Sequence, residues 1–400
     1  MVTTRGCCVN GPRPLFWRGA RETRPGAPGP SHRIISTEEG RFRMKEAFIT
    51  RENLLKLIGR WAKDYRVYVP VTFDIMNHEE TPDYQLVGDA VPENIELCGA
   101  ALAHTPKSFL FYPREVVAKY PSSDPEAAVE APPTVLVGPR GCDLRGLSKL
   151  DKVYWSTEHF TEEYDDPFII EKRKNTFIVS VDCSAAKETC FCTMVGGKPY
   201  PTEGFDVNLS PVETGYILSV GSEKGGKLMA GSDDLVSEVL SDHSAERERN
   251  RNSVTEAVRR QNAEHAVGGD DAWKSYDLEG SPEAWAHVAR DCVACSACNR
   301  ACPTCTCFLL VDQRAKGGYE RSRNWDTCLS IGFARVGGGA NARAALAERL
   351  QNRLRCKFEY SRDRYGLVTC TGCGRCIDVC MGKIDMREAI KHVLTEKATA

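Results

Sequence analysis

Two runs of closely spaced cysteines dominate the chemistry available to this 400-residue chain. Each run has the spacing C-x2-C-x2-C-x3-C, and the runs occupy residues 292–302 and 370–380. Two residues between successive cysteines let three thiolates converge on three corners of one [4Fe–4S] cube, while the fourth cysteine points away from it. The two runs therefore predict two cubane iron–sulfur clusters that exchange their fourth ligands.

The exchange of the fourth cysteine between the runs, as in bacterial two-cluster ferredoxins, determines which cysteines hold which cluster. We expect the first cluster to be held by Cys292, Cys295, Cys298 and Cys380. We expect the second cluster to be held by Cys302, Cys370, Cys373 and Cys376. Paired C-x2-C motifs also build zinc sites, but neither run contains a histidine, and two complete copies of the cubane pattern favour clusters.

Four further cysteines form a second candidate group. Cys142 and Cys183 each follow a predicted strand, and loops after parallel strands gather at one edge of a sheet. Cys190 and Cys192 lie close to Cys183 in sequence. These thiols can hold a third [4Fe–4S] cluster, with Asp143 as a substitute ligand, or they can be buried free thiols. Both interpretations stay open at the level of sequence.

Other cysteines are less clearly placed by the sequence. Cys305, Cys307 and Cys328 form a weaker group, which either packs against the first cluster or supplies ligands. Cys98 and Cys356 are interpreted as structural.

Length, composition and charge restrict the class of protein. The chain is long enough for two or three domains, and its formal net charge of −2 gives no sign of nucleic-acid binding. No apolar run reaches the roughly 18–20 residues of a membrane span, and no secretory signal is evident. The 19 cysteines favour a reducing compartment. We therefore expect a cytoplasmic protein without a membrane span.

Composition also divides the chain into three parts. Residues 1–43 are rich in Arg, Gly and Pro, so we expect a disordered or artefactual extension before a natural start at Met44, with a transit peptide as the alternative. Residues 44–270 alternate predicted strands and helices, which indicates an α/β (α+β) domain. Residues 271–400 are expected to form a ferredoxin-like domain with two [4Fe–4S] clusters and an insert between the cysteine runs.

Local patterns predict individual elements. We expect a helix capped by Thr50, strands at 66–73, 108–112, 134–137 and 175–181, a helix at 114–119, a hairpin of 205–209 with 215–220, a polar helix or helix pair within 230–265, and a helix at 342–358. Residues 221–227 mimic a phosphate-binding loop, but Leu228 stands where a hydroxyl is required. The arginines of the last helix either complement an acidic partner, stabilise reduced clusters, or form a solvated helix face.

Several motifs, in this order, resemble one known family. They are Val137–Asp151, Cys190-Phe-Cys192, Gly215-Tyr with Val220-Gly-Ser, Cys302-Pro-Thr-Cys305, Trp325-Asp-Thr-Cys328 and Gly372-Cys-Gly-Arg-Cys376. The chain from Met44 onward is similar to the 4Fe-4S dicluster family, which contains the iron–sulfur (beta) subunits of sulfhydrogenases and other hydrogenases and one of the subunits of anaerobic sulfite reductase. Related flavin oxidoreductase–heterodisulfide reductase subunits share the pattern. Met381 stands where the family often has proline.

The resemblance implies an iron–sulfur electron-transfer subunit of an anaerobic oxidoreductase complex. Such a subunit relays single electrons between a flavoprotein linked to NAD(P)H and a catalytic subunit such as hydrogenase, sulfite reductase or heterodisulfide reductase. No catalytic residue is expected in the chain itself. The alternative is a catalytic subunit that reduces a substrate directly at a labile cluster. The sequence does not name the terminal electron donor or acceptor.

Overall fold

The computed structural model describes residues 5–6, 46–75, 79–121, 129, 131–155, 165–269 and 271–399. The extension expected at residues 1–43 therefore lies outside the described residues, apart from a two-residue strand at 5–6. No helix in these ranges combines the length and apolar character that crossing a bilayer requires.

Eleven strands are described. They are β1 (Arg5–Gly6), β2 (Glu46–Ile49), β3 (Arg66–Ile75), β4 (Glu79–Leu86), β5 (Arg114–Tyr120), β6 (Thr134–Val137), β7 (Thr176–Val181), β8 (Val207–Val212), β9 (Gly215–Val220), β10 (Phe308–Ala315) and β11 (Gly318–Trp325).

Twelve α-helices are described with them. They are α1 (Arg51–Trp61), α2 (Lys107–Leu110), α3 (Gly141–Tyr154), α4 (Pro167–Lys174), α5 (Glu223–Leu228), α6 (Ser241–Gln261), α7 (Pro282–Ala289), α8 (Ala297–Arg300), α9 (Leu346–Arg355), α10 (Ser361–Tyr365), α11 (Arg375–Asp378) and α12 (Met386–Thr399). Short 3₁₀ turns cover Cys192–Val195 and Ala272–Ser275, and a π-helical turn covers Cys356–Tyr360.

A seven-stranded sheet forms the N-terminal part of the fold, in the order β2-β9-β8-β7-β6-β3-β4. Its centre is parallel, from β3 through β6 and β7 to β8, and its edges are antiparallel. The central strands read as short apolar runs because both faces are covered; all of β6 is buried. The predicted mixed α/β architecture of this part is confirmed.

A second, antiparallel sheet has the order β1-β10-β11-β5. Its β10–β11 hairpin lies between the two cysteine runs, and β11 pairs with β5 from the N-terminal part, with Asn324 opposite Arg114. The stretch between the runs is thus attached to the first part of the chain by backbone hydrogen bonds. The division of the chain at residue 270 stays a prediction.

Two local predictions were wrong, and they are neighbours. Residues 108–112, expected as a strand, contribute to the short helix α2, and residues 114–119, expected as a helix, form β5. The strand gains its partner from β11, which is about 200 residues further along the chain, so its local sequence could not indicate it. The amide of Trp325 also donates to the carbonyl of Pro113 over 2.8 Å and extends this pairing.

The other predicted elements are confirmed with small shifts at their ends. Thr50 caps α1 by accepting a hydrogen bond from the amide of Asn53 over 3.2 Å. The strands at 66–73, 134–137 and 175–181 appear as β3, β6 and β7, and the hairpin as β8 and β9. The polar helix appears as α6, which turns Val254 and Val258 to the core. The phosphate-loop mimic forms the short helix α5.

The C-terminal part has its own apolar core, built by α7, α9 and α12. Trp285, Leu350, Phe358 and Ile390 are buried together there. Phe191, from the loop after β7, joins the same core, so the cysteine-bearing loop of the N-terminal part is packed into the C-terminal part. This contact determines how the candidate sites meet.

Candidate metal centres

The two cysteine loops share one backbone conformation. In the first loop Ala294 and Ser296 have φ angles of 55° and 65°, and in the second loop Gly372 and Gly374 have φ angles of 65° and 78°. These pairs occupy the same positions relative to their cysteines. Left-handed backbone is unfavourable for residues with a Cβ, so Ala294 and Ser296 adopt this conformation at a cost in conformational free energy. The two loops therefore turn in the same way at the same positions.

The first site unites the first loop with the end of the second run, as the ligand exchange requires. Gly382 packs so closely against the start of the first loop that an added Cβ would lie 2.0 Å from the carbonyl oxygen of Asp291, the residue before Cys292. The amide of Ile384 donates to the Sγ of Cys380 over 3.2 Å. Burial raises the pKa of Cys298, and the nearby thiol of Cys380 raises it further. Cys295 is exposed.

The second site is a cavity lined by all four cysteines expected there, namely Cys302, Cys370, Cys373 and Cys376. Apolar side chains of Phe191, Leu354, Met386 and Ile390 complete its wall. Burial raises the pKa of Cys370 and of Cys376, so these thiols need a strong positive partner to become ligands. Iron ions would supply that charge, because a coordinating thiol is deprotonated.

The third site is also a cavity lined by all four cysteines of the second group, Cys142, Cys183, Cys190 and Cys192. Cys142 lies in the first turn of α3, after β6, and Cys183 follows β7, so the carboxyl edge of the parallel strands brings them together. Burial raises the pKa of Cys183 to about 12 and also raises that of Cys142. Four buried or half-buried cysteines line this one cavity, although the presence of a third cluster stays a prediction.

Asp143 has a different environment from the cysteine that precedes it. Its carboxylate accepts hydrogen bonds from Nη1 of Arg375 over 2.7 Å and from the backbone amide of Arg140 over 3.1 Å. Both side chains of the Asp143–Arg375 pair are buried. In this structure Asp143 holds the second cysteine loop against α3, and its role as a substitute ligand stays a prediction.

The second and third sites are in direct contact. Cys373 lines both cavities, and the amide of Phe191 donates to the carbonyl of Gly372 over 2.8 Å. Gln261 and Asn262, at the end of α6, both donate to the carbonyl of Cys190, over 2.7 and 2.8 Å. The loop that carries the third site is therefore held from two directions.

Buried or half-buried cations lie among the three sites. Arg353 lies between the first and second sites, and Arg145 faces Cys192 and Cys370, one cysteine from each of the third and second sites. Burial alone would lower the pKa of Arg353, but the surrounding thiolates outweigh it and hold that pKa well above its usual value. Lys357 donates to the Sγ of Cys302 over 3.1 Å.

The charge of these cations is not balanced by the usual acidic side chains. In the part of the chain that the structure describes, no carboxylate forms an ion pair with Arg353, Lys357 or Arg145. A buried charge needs compensation, and the thiolates of the three sites are the groups these cations face.

Lys357 and Arg145 were not predicted, although Lys357 is four residues after Arg353 and so lies on the same face of one helical segment. The solvated-face interpretation is wrong for Arg349 and Arg353, which are both buried.

The described residues do not form a ready-made site for a single metal ion. A zinc ion requires four donors about 2.0–2.3 Å from one point. No group of three or more His, Cys, Asp or Glu side chains within the described ranges approaches a single point in this way. A cubane keeps its thiolates apart by the width of the cluster, so its ligands need not approach one point.

Comparisons with known proteins agree with this geometry. Residues 291–384 match the family described as a 4Fe-4S dicluster domain. The chain is also 29% identical over 343 residues to the sulfhydrogenase 2 subunit beta of Pyrococcus furiosus; the match covers 85% of this chain and 94% of that protein. The resemblance read from the cysteine motifs is therefore confirmed, and the C-terminal part of the chain is similar to a 4Fe-4S dicluster domain.

Proposed function

We propose that this chain is the iron–sulfur electron-transfer subunit of an oxidoreductase complex. It relays single electrons between a flavoprotein subunit linked to NAD(P)H and a catalytic subunit such as hydrogenase, sulfite reductase or heterodisulfide reductase. The similarity to a sulfhydrogenase beta subunit over most of both chains supports this role. The cytoplasm is the proposed location.

The observation that carries the proposal is the continuous series of three cysteine sites. The first site adjoins the second through Arg353, and the second adjoins the third through Cys373, which lines both cavities. When bound, each [4Fe–4S] cluster takes up and releases single electrons. Three sites that adjoin one another in space suit an electron relay better than separate structural centres would.

The proposed ligands are the residues that line these sites. The first cluster is assigned to Cys292, Cys295, Cys298 and Cys380, the second to Cys302, Cys370, Cys373 and Cys376, and the third to Cys142, Cys183, Cys190 and Cys192. The side chains of this protein bind the clusters, exclude water from the second and third, and place positive charge between them. That charge stabilises the additional electron, because reduction makes a cluster more negative.

The complex purified anaerobically with its partner subunits tests the relay. We expect NAD(P)H to reduce clusters on this chain, seen by electron paramagnetic resonance, and electrons to reach the partner's acceptor. Cys302→Ser should reduce that overall rate at least tenfold, and Cys98→Ser, which changes an exposed thiol outside the three sites, should leave it unchanged. Equal rates in the parent and Cys302→Ser would overturn the proposal.

A catalytic role at the third site is the competing function, because its cavity contains four thiols in an α/β sheet position where ligands commonly bind. The isolated chain distinguishes the two. Turnover of sulfite or a disulfide by this chain alone, with reduced methyl viologen as electron donor, would favour the catalytic role. The relay predicts no turnover without its partners.

A further inference from the structure

A groove of about 680 Å³ runs along one face of α3, and none of the described residues that line it is a cysteine. Its other walls are the loop 196–204 and residues 367–371, which lead into the second cysteine loop. We propose that this groove binds an acidic segment of a partner subunit that exchanges electrons with the second and third sites. This binding role rests on the proposed electron-transfer function and adds the place and the chemistry of one partner contact.

The length of the groove fits a peptide segment. The groove follows α3 from Gly141 to Trp155, just beyond the end of the helix, which is roughly 21 Å at 1.5 Å per residue. An extended chain rises about 3.3 Å per residue, so roughly six residues of a partner lie along it. The loop 196–204 is packed on the start of the helix, because a Cβ added at Gly141 would lie 3.0 Å from the carbonyl oxygen of Tyr200.

Positive charge predominates in the groove. Four cations and two carboxylates line it, namely Arg145, Lys152, Arg173, Lys198, Asp151 and Glu203. Nε of Arg173 lies 3.3 Å from Oδ1 of Asp151, so these two side chains compensate each other. Within the described ranges, no carboxylate forms an ion pair with Lys152 or Lys198. Because the uncompensated charge is mainly positive, the complementary partner surface is acidic.

The floor of the groove is apolar. Leu144, Leu147 and Val368 are buried and line it, and the ring of Trp155 is 37% exposed at its far end. Protein interfaces commonly combine an apolar centre with a polar rim. A segment that places an apolar side chain between acidic ones matches both parts, whereas a small fully charged anion would leave the apolar floor without a partner.

The groove adjoins two of the candidate clusters. Thr371, which follows Cys370 in the second cysteine loop, lines the groove. Arg145 also lines it, and the same guanidinium faces Cys370 of the second site and Cys192 of the third site. A partner that contacts Arg145 is therefore one side chain away from both sites, which suits electron exchange with either cluster.

Cross-linking of the native complex tests the contact without turnover, so its outcome is separate from that of the electron relay. A carbodiimide joins a lysine to a carboxylate in contact with it. The complex is purified anaerobically with its partner subunits, treated and digested, and linked peptides are identified by mass spectrometry. We expect Lys152 and Lys198 to be linked to Asp or Glu of one partner segment.

Lys63 and Lys316 are the control lysines, because both are exposed and neither lines the groove. We expect no link from them to that partner segment. The absence of partner links from Lys152 and Lys198 would overturn the proposal, and so would links from the control lysines to the same segment. A small anion that copurifies with the chain and prevents both groove links would overturn it as well, because the groove would then belong to that ligand.

Charge reversal gives a second readout. Lys152→Glu combined with Lys198→Glu should lower the overall electron-transfer rate of the complex at low salt by roughly tenfold or more, because the attraction for the acidic segment is lost. Lys63→Glu combined with Lys316→Glu changes the net charge equally and should leave the rate unchanged. Iron content and reduction of the clusters by dithionite should match the parent in both variants, which shows that both are folded. Equal rates in the two variants would overturn the proposal, whereas failure of electron transfer in the parent would count against the relay itself.

Discussion

The backbones of Gly372 and Cys192 are in contact, so that a Cβ added at residue 372 would lie 2.5 Å from the Cα of Cys192. Gly372 belongs to the second cysteine loop and Cys192 to the loop of the third site. The contact joins the dicluster domain to the α/β part at the point where two candidate clusters approach each other. Nothing larger than glycine fits there without moving one loop.

Gly372→Ala should therefore separate the second and third sites. We expect lower iron content at both sites and a thermal unfolding midpoint lowered by several degrees, since about 1 kcal/mol corresponds to roughly 2–4 °C in larger domains. Calorimetry and iron analysis of anaerobic protein measure the effect.

Gly366→Ala is the matched control for this variant. Gly366 has a φ of 68°, close to the 65° of Gly372, but an added Cβ would meet nothing within 4 Å. Its substitution carries the left-handed backbone cost of roughly 1–2 kcal/mol without the steric overlap. Equal effects of the two substitutions would show that the contact with Cys192 is unimportant.

Arg353→Gln should make the clusters of the first and second sites harder to reduce. The guanidinium is buried among the thiols of Cys298, Cys302 and Cys376, and its charge favours the reduced state. We expect both reduction potentials to fall by roughly 60 mV or more, which is a tenfold change for a one-electron couple. Redox titration followed by electron paramagnetic resonance measures this.

Two further variants separate charge from packing at this position. Arg353→Lys keeps the positive charge and should restore most of the potential, while Arg364→Gln removes an exposed arginine and should leave both potentials unchanged. If Arg353→Lys and Arg353→Gln lowered the potentials equally, the charge would not be the cause.

Cys183→Ser combined with Cys192→Ser tests the third cluster. We expect the loss of about four irons, because two of four thiolates are removed from one cubane. The signals of the two clusters in the dicluster domain should persist, since their ligands are elsewhere. Iron content equal to that of Cys98→Ser would mean that this cavity contains only buried thiols.

Asp143→Asn should weaken the attachment of the second cysteine loop to α3. Removing one partner of a buried ion pair leaves the charge of Arg375 without compensation, which commonly costs about 3–5 kcal/mol. The double variant Asp143→Asn with Arg375→Gln should be more stable than Asp143→Asn alone, because neither charge is then left without its partner. Thermal unfolding of the two variants and the parent measures the order. Full iron content in Asp143→Asn would show that the carboxylate is not a required ligand.

Short-range patterns in the sequence predicted much of the candidate site. The spacing within each cysteine run predicted which thiols share a loop, and the similar φ angles at Ala294 and Gly372 follow from that spacing. Cys142 and Cys183 were expected to meet because both follow parallel strands, and the cavity they line agrees. The three cysteines of one loop are only a few residues apart, so the local backbone positions them. For Cys142 and Cys183, the parallel sheet brings the loops after its strands to one edge.

The sequence by itself determined the two cysteine loops and the apolar central strands, because local geometry governs both, and the exchange of ligands between the runs stays a prediction. Only the tertiary structure decided that residues 114–120 form a strand on β11, that Gly372 lies on Cys192, and that Arg353 and Lys107 are buried beside thiols, with no acidic partner among the described residues. These contacts join residues far apart in the chain, and their energy comes from packing and charge compensation that no local pattern encodes.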